Sequence, residues 1–360
     1  LFFIMNTSLK IILLSTFVFV AASCNKDDDN KATTTTADYQ PELKNISQLV
    51  ITATYQNLNN EAGDLVSAVT TLKNNPTSVN LEAARQAWRE TRLPWEQSEA
   101  FLFGPVEQQG IDPSIDSWPV NVTDLQNVLS GSSSLTKSYI DGLDGTLKGF
   151  HTIEFLLWGT NSNKQIGDFT VREFEYLTGC SESLQGATLQ LYNAWQANGQ
   201  NFEQILYDAN SSNPYYPSQK ASLQEVVNGM IAICNEVANG KLFEPYSQQD
   251  ITLEESRFSV NSKQDFADNI RSVENLYLGT FNSGGNGKGI STIIASKNAT
   301  LDNQIKAKIT SSINAIMAIQ GTFTSAITND PQGVQNAIDE GACVFYPFSL
   351  LENWTGSIEE

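Results

Sequence analysis

The sequence predicts an all-α protein of two packed helical bundles. Apolar residues recur at spacings of three and four along most of the chain, and alternating β-branched runs joined by hairpin turns are missing. Pro- and Gly-bearing turns punctuate these runs. One polar segment, Asn210-Ser211-Ser212-Asn213-Pro214-Tyr215-Tyr216-Pro217, is the best place to divide the chain. It gives expected domains over residues 41–212 and 213–360.

Leu43 to Lys73 reads as a long amphipathic helix, with room for a break, stopped by the turn Asn74-Asn75-Pro76. A second helix opens at Val79 or Asn80 and runs to about Phe101, with Pro94 as a kink or boundary. Gly104, Pro105, Gly110, Pro113 and Pro119 make 103–119 mostly loop. A short helix over Val122–Leu129 precedes a Gly/Ser stretch at 130–134, and another helix ends before Gly159. Thr170 and Glu173 have the spacing of a capping box, opening a helix expected to stop near Gly179. Ser183 to Leu206 is expected as a separate long helix, softened at Gly199.

Beyond Pro217, Ser218–Asn239 reads as a helix ended by Gly240. Residues 243–262 look irregular, and Lys263–Leu278 helical. Glycines 279, 284, 285, 287 and 289 mark a flexible loop that lacks the G-K-[ST] of a phosphate-binding loop. Two more helices are expected, over about Ala299–Thr328 and from Val334 to near Glu352. A faint repeat sets His151–Thr160 against Arg271–Thr280. It reads as an internal duplication in which one bundle lost its histidine, or as chance similarity of amphipathic helices.

Residues 1–24 read as a targeting segment. Met5 is the expected start, Lys10 supplies the positive charge, and Ile11–Val20 is the apolar run, too short for a comfortable membrane span. Ala21-Ala22-Ser23-Cys24 looks like a lipobox, so Cys24 is expected to carry lipid and anchor the chain to the outer membrane, facing periplasm or cell surface. Asn25-Lys26-Asp27-Asp28-Asp29-Asn30 resembles a surface-export tag, or is a solvated acidic linker. With four consecutive threonines following, residues 25–40 are expected to be a disordered tether.

The net charge of −19 and pI near 4.4 argue against nucleic-acid partners and against electrostatic adhesion to anionic lipid. Cys180, Cys234 and Cys343 are odd in number and form no C-x-x-C, which excludes complete pairing among them and a zinc knuckle. Cys234 reads as a small buried hydrophobe.

The chain has one histidine, His151, in Gly149-Phe150-His151-Thr152-Ile153-Glu154-Phe155-Leu156-Leu157-Trp158-Gly159. His151 and Glu154, three apart, share a helix face. Such a pair is either a hydrogen-bonded core pair or part of a metal site. On the second helix Trp88, Arg92, Trp95 or Glu96, and Glu99 fall on one face. Arg92 and Glu96 suit an i, i+4 salt bridge. The functional reading adds Glu96, Glu99 and Asp116 to His151 and Glu154, an oxygen-rich set with one imidazole that suits iron, manganese or zinc. A ligating imidazole must be neutral, so affinity is expected to fall as pH drops through ~6.5. The two-histidine helix of zinc proteases is impossible with one histidine, and no G-x-S-x-G elbow is present.

Gly149-x-His151-x-x-Glu154 resembles the signature of the imelysin-like family, also called the insulin-cleaving peptidases. Trp88-Arg89-Glu90-Thr91-Arg92-Leu93-Pro94-Trp95-Glu96-Gln97-Ser98-Glu99-Ala100-Phe101-Leu102-Phe103-Gly104-Pro105-Val106 resembles the family's first conserved block, and Ile115-Asp116-Ser117-Trp118-Pro119 its second. The resemblance covers nearly all of the mature chain. It implies a helical envelope protein linked to iron uptake, with a divalent or ferric ion, iron favoured, and iron-transport components as partners. Gly149, Trp88, Arg92, Trp95 and Trp118 then belong to the pocket. Three functions stay open: a non-catalytic metal-binding lipoprotein, which is favoured, a metallopeptidase, and a helical adhesion or scaffold module.

Overall fold

Helices follow the apolar spacing through the computed structural model, which describes residues 38–281 and 287–341; no strand occurs among the described residues. The longer ones are α1 (Ala53–Asn74), α2 (Ser78–Glu96), α3 (Gly149–Trp158), α4 (Val171–Trp195), α5 (Gln219–Asn235), α6 (Ser262–Leu278), α7 (Ala299–Ala318) and α8 (331–341). In the first bundle α1 lies against α2 and α4, and α3 closes on α2 and α4. In the second, α6 packs on α5 and α7.

The bundles share one core, and the described residues form one compact unit. The loop at 210–217 is a connection inside that unit. The end of α2 makes the seam. Ala100 N–H donates to Ser272 Oγ of α6 (3.0 Å), and Gln97 Nε2 to Asp268 Oδ1 (2.8 Å).

Several boundaries differ from the expectation, each for a local reason. The break in the first helix is a π-helical stretch, Ile46–Thr52, that keeps the chain helical from Gln40. Pro94 sits in the last turn of α2 without kinking it away, the helix stops at Glu96, and Glu99–Phe101 is a separate 3-10 turn. Gly179 does not end a helix, because α4 runs from its Thr170–Glu173 capping box to Trp195. Gly179 is a point of close approach, where a Cβ would meet the Leu135 carbonyl at 2.6 Å. Gly240 likewise lies inside a helical run, the π-helical Glu236–Leu242, followed by Phe243–Gln248. The expected helix over Ala299–Thr328 is two, parted at Gly321 (φ +70°) with Thr322 capping Phe323–Asn329.

No helix among the described residues is long and apolar enough to cross a membrane. The expectations for Cys24, most of the 25–40 tether, Cys343, the glycines at 284 and 285 and the helix beyond 341 lie outside the described residues.

Candidate functional site

The motif helix α3 is buried along its whole length. Its first residue explains the glycine: Gly149 has φ +72°, and a Cβ there would come within 2.3 Å of the Ile115 carbonyl. This contact seats the short turn Asp112–Ile115 on the start of α3 and delivers Asp116 to His151. Trp88 Nε1 donates to the Phe150 carbonyl (3.0 Å), tying α2 to α3, and the Arg92 guanidinium lies 5.1 Å from the centre of the Phe150 ring.

The residues singled out in the sequence converge at the seam between the bundles. Arg92 is wholly buried at the centre. It pairs with Asp116, with Glu96 at 2.7 Å, with Glu255 at 2.9 Å and more loosely with Asp265 at 3.5 Å. Asp116 also accepts from Trp95 Nε1 (2.6 Å), and its Oδ1 lies 3.0 Å from His151 Nε2. The Trp118 ring centre is 6.2 Å from that of His151. Glu99, on the 3-10 turn, is less buried than the rest and forms with Glu96 and Asp116 a group whose carboxylate oxygens lie within 4.8 Å of one another.

Glu154 turns out to face His151 rather than the open side of the cluster. Its Oε2 lies 3.1 Å from His151 Nδ1, and its Oε1 accepts from both the N–H and the Oγ of Ser259, each at 2.7 Å. It orients the imidazole, as carboxylates behind metal-bound histidines do. The tighter ligand set is Asp116, His151 and Glu255, with ligand-type atoms within 4.8 Å of one another.

Four participants were not anticipated. Lys241, on the π-helical stretch, pairs with Glu255 (3.1 Å) and lies 5.6 Å from the centre of the Trp118 ring. Glu255 comes from the irregular segment before α6. Asp265 and Asn269 come from α6, where Asn269 Nδ2 donates to Glu96 Oε2 (2.6 Å).

Buried carboxylates outnumber buried cations here. Glu96, Asp116, Glu154, Glu255 and Asp265 are all buried, against Arg92, Lys241 and His151. The titration of these groups follows. Burial raises the Glu96 carboxyl well above its usual range, with Arg92 opposing and Glu255 reinforcing. Burial lifts Asp265 to about 6 despite Arg92. Burial also works on Asp116, but Arg92 and His151 outweigh it and hold this carboxyl below the ordinary range. For His151, burial and Arg92 disfavour the charged ring, yet Asp116 and Glu154 prevail and push it up to about 9. The ~6.5 midpoint expected from the sequence is therefore corrected upward, because two carboxylates flank the ring.

Do these residues fit a cation? Glu255 Oε2 is buried without a hydrogen-bond partner, while His151 Nε2 and Glu96 Oε1, also buried, meet Asp116 and Arg92 only as ion-pair contacts. Buried polar atoms are seldom left so. Two of the three belong to the Asp116–His151–Glu255 set. Oxygen-rich ligands, one imidazole, an orienting carboxylate and excess negative charge fit a divalent or ferric ion.

The chain resembles known proteins over most of its length. The imelysin family model matches residues 51–342. The chain is 28% identical over 272 residues to iron-regulated protein A of Synechococcus elongatus, covering 75% of this chain and 73% of that protein. A crystal structure described as a putative iron-regulated protein A precursor from Parabacteroides distasonis superposes with a TM-score of 0.81 at 25% identity, over 91% of this chain and 97% of that one. An imelysin-like protein from Psychrobacter arcticum, 13% identical, shares the fold with a TM-score of 0.69 over 85% of this chain and 91% of its own. With its fold, its GxHxxE helix and a family match over most of its length, the chain belongs to the imelysin family.

Proposed function

We propose that this protein serves iron acquisition at the cell envelope by holding a metal ion, iron favoured, in its buried seam without catalysing a reaction. One observation carries the reading: the buried ligand-type atoms of Asp116, His151 and Glu255 lie within 4.8 Å of one another, and Glu255 Oε2 has no hydrogen-bond partner. The ion supplies the positive charge that the cluster lacks. Asp116, His151 and Glu255 would hold it, Glu154 and Ser259 would keep the ring in place, and Glu96 and Glu99 line the side next to Asp116. The names of the Synechococcus and Parabacteroides relatives support iron over the other metals this ligand set suits.

The lipobox at Ala21–Cys24 supports an outer-membrane lipid anchor, and iron-transport components of that membrane are then the natural partners. Intact-mass analysis of membrane-extracted protein tests the anchor: an unmodified Cys24 contradicts it. Incubating the pure protein with unfolded polypeptide, with and without chelator, tests the absence of catalysis. Chelator-sensitive cleavage lost in His151→Ala would make the protein a metallopeptidase instead.

A further inference from the structure

A polar cleft of about 330 Å³ opens on the first bundle, lined in part by Gln109, Ser114, Lys137, Asp141, Lys148 and Ser183. It is at the small end of the ~300–1,000 Å³ range of small-molecule pockets. Its titratable lining groups are Lys137, Lys148 and Asp141, so it presents two ammonium groups against one carboxylate in a chain of net charge −19.

The two lysines differ. Lys137 is half exposed and pairs with Asp141 Oδ2 at 2.7 Å. The other carboxylate oxygen of Asp141 accepts from Ser183 Oγ, also at 2.7 Å. Lys148 is only 7% exposed, and its Nζ donates to the Asp141 carbonyl at 2.9 Å. Among the described residues no carboxylate lies at ion-pair distance from it, although the Asp141 and Asp144 carboxyls are close enough to feel its charge. A buried ammonium with three protons and one neutral hydrogen-bond acceptor is paired less closely than buried cations normally are. The wall is also kept bare. A Cβ on Gly186 would stand 2.8 Å from Lys137 Cε, and nothing lies within 4 Å of one built on Gly110.

We infer that this cleft binds a small molecule bearing a carboxylate or phosphate group, with Lys148 as the buried anchor and Lys137 at the rim. The site does not depend on the metal reading, although Lys148 stands three residues before His151 and Ser114 two before Asp116. Asp141 is the repelling element: it faces the incoming anion and neutralises Lys137.

Calorimetric titration of the full chain with inorganic phosphate, and separately with succinate, tests this. At least one probe is expected to bind, and preference between them identifies which oxyanion the cleft suits. Lys148→Gln should weaken binding at least about tenfold, and Lys137→Gln less, while Asp141→Asn should tighten it. The tightening separates a charge site from general damage, and it stands even where the Lys148 variant fails to fold. The inference is overturned by no heat of binding for either probe at about 10 mM, or by Asp141→Asn weakening binding as the lysine variants do.

Discussion

Arg92–Glu96 and Lys137–Asp141 are the same motif in sequence: a cation and a carboxylate four apart on a helix, 2.7 Å from each other. The first pair is fully buried, and both side chains of the second are 44% exposed. Water screens the second pair and leaves it worth ~0.3–0.5 kcal/mol. Arg92 instead holds together four carboxylates that have lost their water. Spacing alone does not say which of the two a pair will be; burial decides.

The largest effect should come from removing the centre of the buried pair. Arg92→Ala leaves Asp116, Glu96 and Glu255 buried with too few cations, and is expected to lower unfolding free energy by ~3–5 kcal/mol. Urea denaturation measures it, and a loss below ~1 kcal/mol would erase the contrast with the surface pair.

His151→Ala comes next and brings a pH signature. The folded protein holds His151 near 9, above its unfolded value of ~6.5. In metal-free protein its contribution is fully present below ~6.5 and is lost as pH rises through 9, because the folded state keeps the proton longer than the unfolded chain. The stability gap between metal-free wild type and His151→Ala should be on the order of 3 kcal/mol near pH 6 and shrink towards pH 9. A gap that widens with pH would mean that the ring is neutral in the folded protein.

Ser259→Ala should be milder. It removes one of the two hydrogen bonds on Glu154 Oε1 and leaves the backbone N–H in place, for a loss of ~1 kcal/mol by chemical denaturation. Lys137→Ala should change stability by no more than ~0.5 kcal/mol. A loss as large as that of Ser259→Ala would show that the exposed pair is structural after all.

The contrast also explains what could be read from the sequence. α3 was legible because one imidazole stands in an apolar run, where any polar pair must find partners. The face of α2 was legible for a related reason, since Arg92 and Glu96 share it with Trp88 and Trp95. α6 was opaque. Asp265, Asn269 and Ser272 recur at helical spacing, and a polar stripe reads as a solvated face until its neighbour is known. Here that neighbour is the charged end of α2, a long-range contact without a local signal. Lys241 was hidden because Gly240 resembles a helix stop, whereas the π-helical turn carries the chain through it. Glu255 sat among irregular residues where paired carboxylates look solvated. Helix existence was readable from periodicity. The join of α4 across Gly179 was not, because that glycine serves packing against Leu135 rather than a turn.

The most direct test of a cation in the seam is metal stoichiometry and affinity at fixed pH, on protein purified without chelators and then titrated with iron. Wild type should carry about one ion per chain and bind more tightly as pH rises towards 9, since the proton on His151 must leave. His151→Ala and Glu255→Gln should remain folded and lose the ion. A wild-type protein that holds no metal and takes up none on titration, or a His151→Ala variant that binds as well as wild type, would contradict the account.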